Sequence, residues 1–292
     1  MSARAKSKRV PRLVAAVLLL GVLAVCTGYF WVRWYRAPQW EVHEVVGWLP
    51  EDTEMVSCIE GPWPLEPKHI DGTSSLAHYL EAGPTAFPQF DPELRKKLEG
   101  RQVLLSVEAR RKLIKRMPFQ GASIIVFDKG LGWAGFSQAA RISDLPIAIP
   151  RANVLIVATD RQYLEEVLNR IERTSAGRRL PDFFDDSLRR LQGARFWAAR
   201  RCDAASEAIG ADPEARGIHF RYDPGRSPIA RLTYFSTNSE ALLIASEFWS
   251  RLQEGRPPEV KRLSPGELEM SIRDDAAAGQ DIGSLVLTAL GY

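Results

Sequence analysis

Twenty consecutive residues without a charge, LVAAVLLLGVLAVCTGYFWV at positions 13–32, constrain this chain more than any other stretch. A helix rises about 1.5 Å per residue, so the run covers roughly the 30 Å hydrocarbon core of a bilayer. Arg4, Lys6, Lys8, Arg9 and Arg12 precede it. Tyr29, Phe30, Trp31, Trp34 and Tyr35 gather at its far end, where amphipathic rings settle among lipid headgroups. The pattern predicts a transmembrane helix with Leu13, Leu18, Leu20, Phe30, Trp31 and Trp34 as anchor residues. Arg33 and Arg36 are the only charges just after the run, so the basic excess lies before it. By the positive-inside rule, Arg4, Lys6, Lys8, Arg9 and Arg12 hold the N-terminus in the cytoplasm and the rest is exported. The expected location is the cell (inner) membrane, single-pass, with an extracytoplasmic C-terminal region.

A secretory signal shares the basic start but has an apolar core of roughly 7–15 residues and a small-residue cleavage site. No small-x-small site closes this run. Leu23, Ala24, Val25 and Cys26 approach a bacterial lipoprotein box, in which Gly, Ala or Ser stands before the cysteine; Val25 breaks that pattern. The run is read as an uncleaved signal-anchor.

The basic balance of the chain, 39 Lys and Arg against 36 Asp and Glu, belongs to this tail. Seven of the basic residues lie in the first 36 positions, which leaves 32 against all 36 acids, so the exported part is mildly acidic. A nucleic-acid partner needs a concentrated basic face on the domain itself, and composition argues against one. Outside the apolar run only Cys58 and Cys202 remain, too few for a disulfide framework or a zinc spacing. Bridging demands Cα atoms within about 7 Å, which sequence position alone does not provide, so both are expected to be free thiols.

Along the chain, residues 1–12 form the cytoplasmic tail, 13–32 the membrane helix and 33–47 a juxtamembrane spacer in which Pro38 opposes helix continuation. Positions 48–175 and 176–292 then read as two exported α+β halves. Short apolar runs at 55–59, 103–107, 123–127 and 154–158 have strand character, and 133–139 reads as a return strand. Short helices are expected at 75–81 and 91–98. Thr159, Asp160, Arg161 and Gln162 form a capping box that opens a helix with Tyr163, Leu164, Val167, Leu168 and Ile171 on one stripe. The second half repeats this grammar, with strands at 196–202, 218–222 and 230–235 and a capping box at Thr237, Asn238, Ser239 and Glu240. Leu268, Met270 and Ile272 alternate as a last strand, and Ile282, Leu285, Val286, Ala289 and Leu290 form a last helical stripe. Superposing Thr159 on Thr237 brings Leu164 onto Leu242, Val167 onto Ala245 and Ile171 onto Trp249. The predicted fold is α+β: a single N-terminal transmembrane helix followed by antiparallel sheets with helices packed on one face, arranged as a divergent duplication. The competing reading is one irregular α+β domain in which strand-to-helix junctions merely reuse a common cap.

Leu49, Pro50, Asp52 and Thr53 spell a Leu-Pro-x-Asp-Thr opening before the first strand. It resembles the opening of a set of uncharacterised bacterial membrane-anchored proteins, which carry a short basic tail, one span and an exported α+β region. The resemblance implies topology and no chemistry.

Candidate chemistry is sparse. Gly130, Gly132 and Gly135 match G-x-G-x-x-G after a strand, but the segment before Pro146 is too short for the crossover helix that a dinucleotide site needs, and a hairpin turn fits better. Arg110, Arg111, Lys112, Lys115 and Arg116 form the densest basic run and read as a solvated face. His43, His69, His78 and His219 stand in no metal-ligand spacing, and His219, alternating with Ile218 and Phe220, is expected to face solvent. Asp185 and Asp186, like Asp274 and Asp275, are adjacent pairs suited to helix starts. No nucleophile elbow, S-x-x-K or Walker pattern occurs, so no catalytic, cofactor or metal residue is assigned. Two functional classes remain. The first is a membrane-anchored extracytoplasmic binding or assembly module, acting through a sheet edge or the cleft between halves on a protein or cell-envelope partner, with the lipid bilayer as its other partner through one helix. The alternative is a hydrolase-like enzyme of an exported polymer. A concave pocket crowded with titratable groups favours the enzyme, and an apolar patch favours binding.

Overall fold

In the computed structural model no core claims the apolar run at the N-terminus. The structure describes residues 9–64, 101–111, 120–132, 145–173, 182–191, 193–194, 196–201, 214–223, 229–251 and 258–273. Helix α1 spans Arg9–Trp34. Its window Val14–Arg33 has a mean hydropathy of 2.2 with none of it buried inside the molecule, long and apolar enough to cross a membrane. Leu18, Leu20, Phe30 and Trp31 are all exposed on α1. Arg9, Arg12, Leu13 and Trp34 lie on the same helix, and Arg4, Lys6 and Lys8 lie outside the described residues.

The rest is α+β. After α2 (Val42–Val46) come β1 (Thr53–Pro64), β2 (Gln102–Arg111), β3 (Gly121–Phe127), β4 (Ile147–Arg151) and β5 (Val154–Ala158). Helices α3 (Arg161–Glu172) and α4 (Asp182–Leu191) follow. The chain continues through β6 (Phe196–Arg201), β7 (Ala215–Asp223), β8 (Ile229–Ser236), α5 (Ser239–Arg251), β9 (Glu259–Ser264) and β10 (Glu267–Arg273). All ten strands join one sheet in the order β4-β5-β3-β2-β1-β6-β7-β8-β10-β9, and every neighbouring pair is antiparallel. The seam is β1 against β6, with Ser57 opposite Ala198 and Cys58 opposite Trp197. Outward from that seam each side is the same: a three-strand meander, then a hairpin whose second strand pairs back onto it.

That topology makes β5 the counterpart of β10, and β3 that of β8. The superposition of Thr159 on Thr237 pairs β5 with β8 instead, so the two strand-plus-helix units do not occupy equivalent places. What they share is capping chemistry, one residue later than the sequence suggests. Asp160 accepts the Tyr163 amide at 2.9 Å, and Asn238 Oδ1 accepts the amides of Glu240 and Ala241 at 3.0 and 3.2 Å. The threonines do other work: Thr159 Oγ1 accepts from the Gly121 amide, and Thr237 Oγ1 donates to Glu214.

Sequence patterning misses β4 and β9. Both are edge strands. Short β4 carries Pro150, and β9 exposes Lys261 and Arg262 in place of apolar alternation, devices that deny a sheet edge to other chains. The expected strand at 133–139 and the helices at 75–81, 91–98 and 282–290 lie outside the described residues.

The core divides by sheet face. One face of the first half carries Val56, Cys58, Leu105, Val107, Ile124 and Ile156 under α2, α3 and α4. In the second half Ile218, Phe220, Leu232, Tyr234 and Met270 point to the other face, where they meet Leu242 of α5. The Leu-Pro-x-Asp-Thr opening has a structural role here. Leu49 is buried, Pro50 accepts the Thr53 amide to turn the chain, and Asp52 pairs with Arg111 at 2.5 Å. Arg111 also pairs with Glu166 and stacks over Tyr163 at 5.2 Å. Arg110 pairs with Glu108 at 2.7 Å. The described part of the basic run is thus a set of partly buried ion pairs, not a solvated face; Lys112, Lys115 and Arg116 lie outside the described residues.

Candidate ligand cleft beside the membrane anchor

An apolar helix followed by a Pro-containing spacer has no intrinsic reason to hold the following domain in one orientation. Here a single buried amide supplies one. Asn153, with no exposed surface, accepts the Trp40 indole N–H at 3.2 Å and donates to the carbonyls of Pro38 at 3.1 Å and Phe127 at 2.8 Å. Arg33, at the end of α1, donates to the Ile149 carbonyl. Trp40 packs edge-on against buried Trp48 at 5.1 Å. The juxtamembrane stretch is therefore docked on the β4–β5 turn.

That docking forms one wall of a cleft of about 650 Å³. Gln39, Trp40, Glu41, Val42 and His43 make the wall, Asp185, Leu188 and Arg189 of α4 face it, and the sheet across the β1–β6 seam is the floor. A bulge shapes that floor: the β2–β3 register slips between Val103 and Leu105. Leu104 is the extra residue, 37% exposed into the cleft. Bulges re-aim side chains in this way beside binding sites. Trp197, 1% exposed, donates its indole N–H to the Glu60 carboxylate, while burial pushes the Glu60 carboxyl above its ordinary range. At the rim His43 meets Glu41 at 3.1 Å and Arg189 lies 3.8 Å from Asp185.

No family model matches the chain, and no curated protein matches it. A solved structure titled "Structure of crystal form III of TP0453" is similar, with a TM-score of 0.46 and 10% identity over 82% of this chain and 97% of that one. A likeness of that size carries no argument about the cleft.

Of the residues singled out from sequence for their chemistry, His43 and Asp185 line the cleft, and the other described ones fall elsewhere. Gly130 and Leu131 accept hydrogen bonds from Arg101, and Gly132 lies beside the Tyr35 ring at φ +69°, a conformation that side-chain-bearing residues rarely adopt. This part of the glycine motif seats the end of α1. Gly135 lies outside the described residues. Cys58 is a free, buried thiol, pushed well above its ordinary pKa by burial and then by Glu60; Cys202 lies outside the described residues. Among the described residues no three His, Cys, Asp or Glu side chains converge to hold a metal ion.

His219 departs from its expected place in solvent. It does face away from Ile218 and Phe220, but α4 covers that side and leaves it 3% exposed. Phe183 and Phe235 flank the ring at 5.1 and 4.5 Å. Gly217 permits this packing, since a Cβ there would stand 2.3 Å from Phe183. Ser187 Oγ lies 2.6 Å from His219 Nε2, which looks like a nucleophile and its base. The hydroxyl has one proton, however, and gives it to the Phe183 carbonyl at 2.6 Å. Nε2 must then be the donor, so the imidazole cannot take that proton, and Ser187 itself has no exposed surface. The pair is structural.

Burial, then Arg190, lowers the His219 pKa to about 4, with Asp186 opposing. The unfolded chain protonates this residue near pH 6.5 and the folded chain does not. The associated stability, about 3 kcal/mol, is present above pH 6.5 and is lost as pH falls towards 4. Equilibrium unfolding between pH 7 and 5 should show that decline, and His219→Asn should flatten it.

Proposed function

We propose that the chain is a single-pass, membrane-anchored extracytoplasmic module that binds a ligand in the cleft between α4 and the juxtamembrane stretch. The observation that carries this reading is the docking by Asn153, which holds a concave, largely apolar surface beside the point where α1 ends. The size of the cleft, about 650 Å³, suits one small ligand or chain segment. Its lining mixes apolar side chains on the floor, which support binding, with the titratable Glu41, His43, Glu60, Asp185 and Arg189, and it holds no Ser, Thr or Cys nucleophile. The Leu-Pro-x-Asp-Thr resemblance fits the same topology. Among the described residues, the Ser187–His219 spacing would favour a hydrolase, but its protons run the wrong way round.

Orientation is tested by impermeant maleimide on intact spheroplasts, in a background with Cys26 and Cys202 changed to serine. Lys129→Cys, at a side chain 70% exposed, should label without lysis, and Ser2→Cys only after it. The reverse pattern would place the domain in the cytoplasm and end this reading.

A further inference from the structure

Resting on the cleft as a ligand site, we propose that its ligand is an amphiphile from the adjoining leaflet, with one hydrocarbon tail and a cationic, hydrogen-bond-donating head. Leu104, 37% exposed, and half-buried Leu188 give the floor an apolar surface that a tail can cover, above the buried Leu105, Val126 and Trp197. The wall is the very stretch that leaves the bilayer: Gln39 to His43 follow closely on Trp34, the last residue of α1. Because Asn153 pins that stretch to the domain, a tail moving from the leaflet into the cleft passes along Trp40 and Val42. Hydrocarbon is no less apolar than this floor, so burying a tail gives little preference over remaining in the membrane. Selection must come from the polar end. There Glu41 lies beside His43 and Asp185 beside Arg189, and Glu60 leaves the lining one carboxyl in excess of its basic groups. That balance complements an ammonium group and repels a phosphate or carboxylate.

The test uses the full-length protein in phosphatidylcholine nanodiscs, with two photoreactive diazirine probes of equal chain length, a hexadecylammonium and a hexadecanoate. Mass spectrometry then locates the adducts. The ammonium probe should mark the peptides of β2 and α4, with a yield about tenfold above the carboxylate, equivalent to one decade in affinity. Leu104→Glu should abolish those adducts while leaving α1 labelled, since every bilayer-resident probe meets α1. Leu104 is partly exposed, and Leu104→Gln, which adds polarity without charge, should reduce the same adducts. Adducts confined to α1, equal yields from the two probes, or labelling indifferent to both substitutions would overturn the proposal. If Lys129→Cys labels from outside while the cleft stays unmarked, the ligand assignment fails and the anchored topology stands. If Lys129→Cys is protected, the topology itself has failed.

Discussion

Asn153→Leu will cost the domain about 4 kcal/mol and release the juxtamembrane stretch from it. Leucine fills a similar volume but leaves the Trp40 indole N–H and the carbonyls of Pro38 and Phe127 without the amide that meets them. Each buried polar group stranded in this way costs roughly 1–3 kcal/mol, the lower figure applying where water can reach it. Chemical denaturation of the full chain in detergent should show the loss. Tryptophan emission should shift to the red as Trp40 leaves Trp48. Unchanged stability would mean that the spacer is only resting on the β4–β5 turn.

Trp197→Ala should be as damaging, at about 4 kcal/mol, because the side chain is almost fully buried and large-to-alanine changes of aromatic residues leave a cavity as well as losing transfer energy. It removes more than volume. Trp197 sits opposite Cys58 on the seam and satisfies the carboxylate of Glu60, so β1 loses a packing contact and a hydrogen bond together. Trp197→Phe restores most of the volume but not the indole N–H. Comparing the melting curves of the two variants separates packing from the hydrogen bond. A full rescue by phenylalanine would show that the Glu60 contact contributes little.

How much of this was legible in the sequence depends on where each signal resides. The N-terminal apolar helix is a composition signal and needs no partner. The continuous apolar run of β5 and the stripe Tyr163, Leu164, Val167 and Ile171, all buried in the structure, are local patterns with period two or 3.6 and read directly. Strand β4 was missed because it is short and broken by Pro150, and β9 because its edge position carries Lys261 and Arg262 in place of apolar alternation. Alternation correctly set His219 against Ile218 and Phe220, but it cannot say whether a helix covers that side. The available clue was Gly217, a residue without a side chain two positions away, together with the stripe Phe184, Ser187, Leu188 and Leu191 on α4. The cleft was less legible still. Leu104 lies in an apolar run that reads as ordinary strand, and only the partner register reveals the bulge. Asn153 reads as a turn residue, and its Trp40 partner is 113 positions away. The apparent duplication was visible in the caps, yet those belong to non-equivalent helices, while the repeated strand order emerges only from the pairing.

The account rests on the domain being seated against the end of its anchor, so that the cleft opens at headgroup depth. Nitroxides at Lys129→Cys and Arg161→Cys, with Cys26, Cys58 and Cys202 removed, test this in nanodiscs that carry a gadolinium-chelating headgroup. Lys129 follows β3 close to the Gly132–Tyr35 contact, whereas Arg161 begins α3 beyond the opposite end of β5, about 16 Å further along a strand of that length. Relaxation enhancement should be several-fold stronger at position 129 than at position 161, because a spin closer to the headgroup layer feels the paramagnet more. Equal enhancement at the two positions would mean that the domain tumbles freely on its spacer, and would contradict the account.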